Sequence, residues 1–323
     1  MNEERYRETE RRLWSSVGLT PSERFVTMPT LGVRVRVQEV GEGDPVLFIH
    51  GGPNAGSTWA GMVEHLDGFR CLLVDRPGTG LSDPYPIREE NLAEVGERFV
   101  GGVLDGLGLE SAHVVASSLG GHLALRSAAA HPARIGRMVQ MACPALVPGD
   151  RLPPFMRLMT VGWVRRILGH LPPSRRANRS ILRQIGHATS VDAGIIPESF
   201  WDWYAGLQQH TDTMHNDGEM IGRLCSLRGS KPALRLTPEV LEAVATPTLF
   251  LWGADDSFGD ETVARRLVGL MPNAELVMLP RAGHLPWLDA PAAVAERSAH
   301  FLRLGRSPRT PEAGDPLDHT IPR

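Results

Sequence analysis

The 323-residue sequence predicts an α/β protein: a mostly parallel, doubly wound sheet with helices on both faces and a helical cap inserted into it. Three observations carry that expectation. Short apolar runs recur along the chain, continuous as strands buried on both faces require. Helical stretches separate them, and buried strands alternating with helices build a parallel sheet. One interval of roughly a hundred residues holds no convincing strand, far more than the ~10–12 residues a crossover needs at minimum.

Each element follows from its residues. VRVRVQEV (33–40) alternates apolar and polar residues and reads as a half-exposed strand. PVLFIHGG (45–52), CLLVDRPG (71–78), AHVVASS (112–118), RMVQMAC (137–143), PTLFLWG (247–253) and AELVMLP (274–280) are the buried strands. STWAGMVEHL, NLAEVGERFVGGVLDGLG, GGHLALRSAAAHP, DETVARRLVGLMP and DAPAAVAERSAHFLRL are the helices between and after them. The expected division is a charged leader (1–32), a core in two pieces (33–143 and 246–304), a helical cap (144–245) and a polar, proline-rich tail (305–323) expected to be disordered.

Composition excludes several classes. A net charge of −3 provides no footprint for nucleic acid. Cys71, Cys143 and Cys225 are scattered and lack metal-ligand spacing, so free thiols in a reducing compartment are expected and a metal site is not. The leader lacks the apolar centre of a signal peptide, and no segment approaches the ~18 apolar residues of a membrane span. A cytoplasmic protein without stable membrane insertion is expected. Lys231, the one lysine, sits in GSKPA, which rules out a phosphate-binding Gly-Lys-Ser/Thr loop. GTGLSD breaks the dinucleotide fingerprint at its last glycine, and no cofactor is implied.

HVVASSLGGH (113–122) places two serines at a strand-to-helix elbow. A nucleophile there is strained, so the residues two before and two after it must be small. Ala116 and Gly120 flank Ser118 in that way, whereas Val115 and Leu119 would crowd Ser117. Ser118 is the candidate nucleophile.

ASSLGG after one strand, HGGP after an earlier one and DRPGTGLSD between them resemble the α/β-hydrolase superfamily over most of residues 33–304, the cap excepted. Ala116 stands where that family usually has glycine. The resemblance implies the chain order nucleophile, acid, histidine. His284 in PRAGHLPWLDAP follows the last core strand, and Asp255 and Asp256 follow the preceding one. The family's acid usually lies three residues past a glycine, here Gly253, which favours Asp256 over Asp255. Backbone N–H groups of Leu119 and Gly52 would form the oxyanion hole.

A small apolar acyl substrate and hydrolysis of a carboxylic ester through an acyl-Ser118 intermediate are expected. Carbon–carbon bond hydrolysis or aminopeptidase action with the same residues, and a non-catalytic ligand receptor on the same fold, are the alternatives. Serine at 118 argues against the dehalogenase and epoxide hydrolase branches, which use aspartate. Asn54 and the DRPG turn depart from the proline iminopeptidase pattern. In the cap, Phe155, Met156, Met159, Trp163, Phe200, Trp201, Trp203 and Tyr204 form apolar clusters that mostly join cap to core. Phe200, Trp203 and Tyr204 share one helix side and are expected to bind substrate, with Trp201 turned away. Eight arginines and no acid between Arg151 and Arg183 read as a solvated basic face.

Overall fold

The structure is a computed structural model that describes residues 1–168 and 174–304. The chain opens with helix α1 (Glu3–Ser16) and strands β1 (Ser22–Met28), β2 (Val33–Val40) and β3 (Asp44–Ile49). A short helix α2 (Ala60–Val63), β4 (Phe69–Val74), α3 (Leu92–Leu107), β5 (Ala112–Ser117), α4 (Ser118–Ala130) and β6 (Ile135–Met141) complete the first part of the core. Then come the helices α5 (Pro154–Met159), α6 (Gly162–Leu168), α7 (Arg175–Leu182), α8 (Ala188–Asp192), α9 (Glu198–His210) and α10 (Thr213–Leu224). A two-residue hairpin, β7 (Cys225–Ser226) and β8 (Gly229–Ser230), and α11 (Pro238–Glu242) close that interval. The core resumes with β9 (Thr248–Gly253), α12 (Glu261–Val268), β10 (Ala274–Leu279), α13 (Pro286–Asp289) and α14 (Pro291–Leu304).

Eight strands form one sheet in the order β1-β2-β4-β3-β5-β6-β9-β10. The pairs β1–β2 and β2–β4 are antiparallel, and the remaining neighbours are parallel. Alternate residues of a strand point to opposite faces, so a strand buried on both sides feeds two apolar layers. In β3, Leu47 and Ile49 join the layer with Phe99 of α3 and Leu123 of α4. Val46 and Phe48 join the other, with Trp59, Phe301 of α14 and Trp203 of α9. The continuous apolar runs of the sequence have this origin.

The structure departs from the sequence expectations in three places. The leader is folded: β1 forms one edge of the sheet, and α1 packs along α9, with Asn2 N–H donating to His210 O. Strand β2 is more buried than a half-exposed strand: Arg36 and Gln38 are covered, and of its polar residues only Arg34 is exposed. Arg36 is buried between Glu10 of α1 (2.6 and 2.9 Å), Glu23 (2.5 Å) and Asp75 (3.5 Å), the pairing a charge stripped of water requires. The cap interval, expected to lack strands, carries the β7–β8 hairpin. The expected tail lies outside the described residues, and no described helix is long and apolar enough to cross a membrane.

Candidate active site

The elbow between β5 and α4 sets the site. Ser118 has φ +52°, a left-handed conformation that non-glycine residues rarely adopt and that costs on the order of 1–3 kcal/mol. Close packing of backbone explains the small neighbours. A Cβ at Gly120 would stand 2.2 Å from Ile49 O, and one at Gly51 would stand 2.7 Å from Ser118 Cβ. Ala116 is fully buried and its methyl is accommodated. Ser118 is partly exposed into a cavity, whereas Ser117 is buried with its Oγ unpartnered among the described residues. Helix α4 begins at Ser118, so the Leu119 amide lies in a first turn, where helix geometry provides no intrahelical acceptor.

His284 shares that cavity with Ser118. Its Nδ1 lies 3.0 Å from both carboxylate oxygens of Asp256. A carboxylate accepts, so Nδ1 carries the proton and Nε2 is left as the acceptor. Asp256 is buried and held in turn by the amides of Cys143 and Phe258, each at 2.9 Å. Asp255 is exposed, and the partial burial of its carboxyl together with the nearby charge of Asp289 raises its pKa. The acid that meets His284 is therefore Asp256. Phe258, which no sequence pattern singled out, stacks on the His284 ring with centroids 4.0 Å apart.

The loop after β3 carries Gly52, which lines the cavity on both sides of Ser118. Arg76, fully buried, ties this loop down. Its Nε donates to His50 O (3.0 Å), and one terminal nitrogen donates to Gly51 O (3.1 Å) and Asp217 Oδ2 (2.7 Å). Asp217 comes from α10, so the inserted segment reaches the glycine loop. A Cβ at Gly52 would stand 2.6 Å from Asp217 Oδ2, which makes glycine the residue that fits. His50 is an acceptor for the Arg76 amide through Nε2, and burial holds its pKa well below the usual imidazole range. This assigns it to the turn, as its place in HGGP implied.

The cavity is apolar and encloses about 980 Å³ of empty space on the His284 side, part of it open solvent. Phe155, Met156, Met159, Phe200 and Tyr204 line it, with Phe200 and Tyr204 stacked at 5.9 Å. On the other side of Ser118 the lining includes Leu146, Leu152, Met220, Leu224 and Asp150. Trp203, expected beside Phe200 and Tyr204, is a correction: it does not line the cavity. It is fully buried toward α1, where its Nε1 lies 3.4 Å from Tyr6 Oη. The folded leader claims that side of α9. Trp201 is also buried and lies under the Arg179 guanidinium, whereas Trp163 is 69% exposed.

Of the expected site residues, then, Ser118, His284, Gly52, Phe200 and Tyr204 meet in one cavity, Leu119 lines its adjoining lobe, and Asp256 stands behind His284. Arg76, Asp217 and Phe258 were missed. The first sat in a quoted motif, but its buried partner lies 141 residues away.

Comparison with known proteins agrees with this geometry. A family model described as the alpha/beta hydrolase fold matches residues 44–291. A 2-hydroxy-6-oxononadienedioate/2-hydroxy-6-oxononatrienedioate hydrolase of Comamonas testosteroni is 28% identical over 299 residues, covering 90% of this chain and all of that protein. A 2-hydroxy-6-oxo-6-phenylhexa-2,4-dienoate hydrolase of Burkholderia cepacia is 27% identical, covering 87% of this chain and 96% of that one. Among solved structures, naproxen esterase from Bacillus subtilis superposes with a TM-score of 0.68 at 19% identity, over 92% of this chain and 96% of that one. The elbow, the strand order and a family match spanning most of the core lead to one conclusion: the chain belongs to the α/β-hydrolase fold family.

Proposed function

We propose that this hydrolase acts through Ser118, which attacks the carbonyl carbon of an uncharged, apolar acyl compound such as a carboxylic ester. One observation carries the reading: Ser118 and His284 line the same cavity, and His284 is held by Asp256 in the tautomer a general base needs. His284 Nε2 takes the Ser118 proton as Oγ attacks, and Asp256 stabilises the imidazolium that forms. The Leu119 and Gly52 amides receive the oxyanion, each worth roughly 3–4 kcal/mol of transition-state stabilisation. Collapse of the tetrahedral adduct expels the leaving group with the proton from His284. Water, deprotonated by the same ring, then releases the acid from acyl-Ser118.

A second reading, hydrolysis of a carbon–carbon bond beside a ketone, is favoured by the relatives, whose names specify dienoate and dienedioate substrates. On relatedness alone it stands ahead of ester cleavage, and the same residues would serve it. The cavity lining favours uncharged substrates instead. A carboxylate taken into an apolar site needs a paired cation, and no lysine or arginine lines either lobe among the described residues. Arg76, whose guanidinium lies beside Gly52, is already neutralised by Asp217. Asp150, the acid in the smaller lobe, accepts from Ser230 Oγ at 2.6 Å and pairs with Arg235 at 3.5 Å, so it offers no cation to an incoming carboxylate.

The test compares neutral aryl and alkyl esters with esters bearing a terminal carboxylate and with 2-hydroxy-6-oxodienoates. Neutral esters should exceed their carboxylate analogues by ~10²-fold or more in kcat/KM, the scale of a few kcal/mol for an unpaired buried charge. Faster turnover of the dienoates would overturn the ester reading in favour of the second.

A further inference from the structure

The loop that carries His284 is gripped by a second histidine–aspartate pair, which takes no part in the proposed chemistry. Three consecutive amides, those of Gly283, His284 and Leu285, are each caught by a partner. Gly283 N–H donates to Asp289 Oδ2 (2.9 Å), His284 N–H to Ile185 O (3.0 Å), and Leu285 N–H to His187 Nε2 (3.0 Å). Ile185 and His187 both belong to the inserted segment, on the kinked turn Arg183–His187. His187 and Asp289 are fully buried side chains whose Nδ1 and carboxylate oxygens lie 2.9 Å apart.

The pattern fixes the protonation of His187. Its Nε2 accepts from an amide, so its proton sits on Nδ1 and points at Asp289. Ser190 Oγ donates to Asp289 as well, at 2.5 Å. Backbone meets backbone beside this pair. Gly186 has φ +98°, and a Cβ there would stand 2.2 Å from Asp255 O and 2.8 Å from Gly283 Cα. The turn is therefore pressed against both loops that carry the acid and the histidine.

We propose that His187, oriented by Asp289, is a positioning residue: through the Leu285 amide it sets where the His284 ring stands relative to Ser118. The proposal rests on the serine-hydrolase reading above. It makes the inserted segment part of the frame of the general base as well as a wall of the cavity. A base must lie within hydrogen-bond reach of the proton it takes, and a displacement of about 1 Å can cost ~10²-fold in rate.

The experiment compares His187→Asn, His187→Phe and His187→Gln with wild type and Ser118→Ala, using a neutral nitrophenyl ester. Asparagine retains a donor for Asp289 but cannot reach the Leu285 amide; phenylalanine retains shape and loses both bonds. Glutamine offers an acceptor and a donor at a separation close to that of the two ring nitrogens. His187→Asn and His187→Phe should lower kcat by ~10²-fold while KM stays within about 3-fold, and His187→Gln should restore kcat to within about 5-fold of wild type. Amide exchange at Leu285 should rise in the asparagine variant and return toward wild type with glutamine. Ser118-dependent turnover that survives unchanged in the asparagine and phenylalanine variants would overturn the proposal alone. Equal loss in all three variants would also overturn it, since packing and not the amide clamp would then be responsible. Wild-type protein without Ser118-dependent turnover would overturn the reading beneath it as well.

Discussion

Arg76 and Asp217 form a buried pair whose disruption has a calculable sign. Their side chains are 0% and 3% exposed, and their atoms meet at 2.7 Å beside the glycine loop. Replacing Arg76 by methionine leaves the Asp217 carboxylate without its cation and removes the donors to His50 O and Gly51 O. Breaking a buried pair from one side costs about 3–5 kcal/mol, because an uncompensated charge remains. The double variant Arg76→Met/Asp217→Leu has no such charge. It should be more stable than Arg76→Met alone, with a coupling of about 2–3 kcal/mol in a double-mutant cycle. At roughly 2–4 °C per kcal/mol, that coupling corresponds to about 4–12 °C of Tm left over when the shifts of the two single variants are subtracted from that of the double variant. Acidity supplies an independent check. Burial raises the Asp217 pKa above its ordinary 3.8 even against the pull of Arg76, and loss of Arg76 raises it further. A raised carboxyl pKa means that the folded state binds the proton more tightly than the unfolded chain. Stability is therefore gained as pH falls through the raised value toward 3.8. Thermal or urea unfolding of Arg76→Met should show its deficit shrinking as the solution is acidified from neutrality, with no such recovery in the double variant. Equal stability of the two at neutral pH, or a deficit independent of pH, would refute the reasoning.

Other outcomes follow from the same geometry. Asp256→Asn should lower kcat by about 10⁴, the cost of the wrong imidazole tautomer in the serine-protease precedent, whereas Asp255→Asn should stay close to wild type in the same ester assay. Trp203→Ala should cost about 3–5 kcal/mol of stability in urea unfolding, yet leave relative rates across acyl-chain lengths unchanged; Tyr204→Ala should alter that profile. His122, fully buried against Ala145 O and Arg126, has its pKa pushed down to about 3 by burial and by the Arg126 charge. The unfolded chain takes up this proton below about 6.5 and the folded one does not, so stability falls with acidification by up to ~1.4 kcal/mol per pH unit. His122→Gln should flatten the slope of unfolding free energy between about pH 6 and pH 4 by one proton.

The sheet and elbow were legible because they obey local rules. Continuous apolar runs marked strands buried on both faces, and the small residues Ala116 and Gly120 singled out Ser118, which adopts the strained conformation such an elbow demands. Asp256 and His284 were legible through chain order. The leader was not: MNEERYRETERRLW is legible only as a densely charged stretch, and nothing local shows that Glu10 faces a buried Arg36 twenty-six residues away. The misplacement of Trp203 follows from the same gap: helix periodicity put it on one side with Phe200 and Tyr204, whereas it packs toward α1 and they line the cavity. His187 and Asp217 carry no motif. Each matters only because the inserted segment folds back onto a loop 98 to 165 residues from it in sequence.

Labelling with an active-site fluorophosphonate followed by peptide mass spectrometry tests the central claim most directly. Ser118 lines the cavity beside His284, while Ser117 is buried one residue away. The account predicts a single adduct on Ser118, abolished in Ser118→Ala along with a roughly 10⁶-fold loss of turnover, and retained in Ser117→Ala. An adduct on Ser117, or unlabelled protein that still hydrolyses esters, would contradict it.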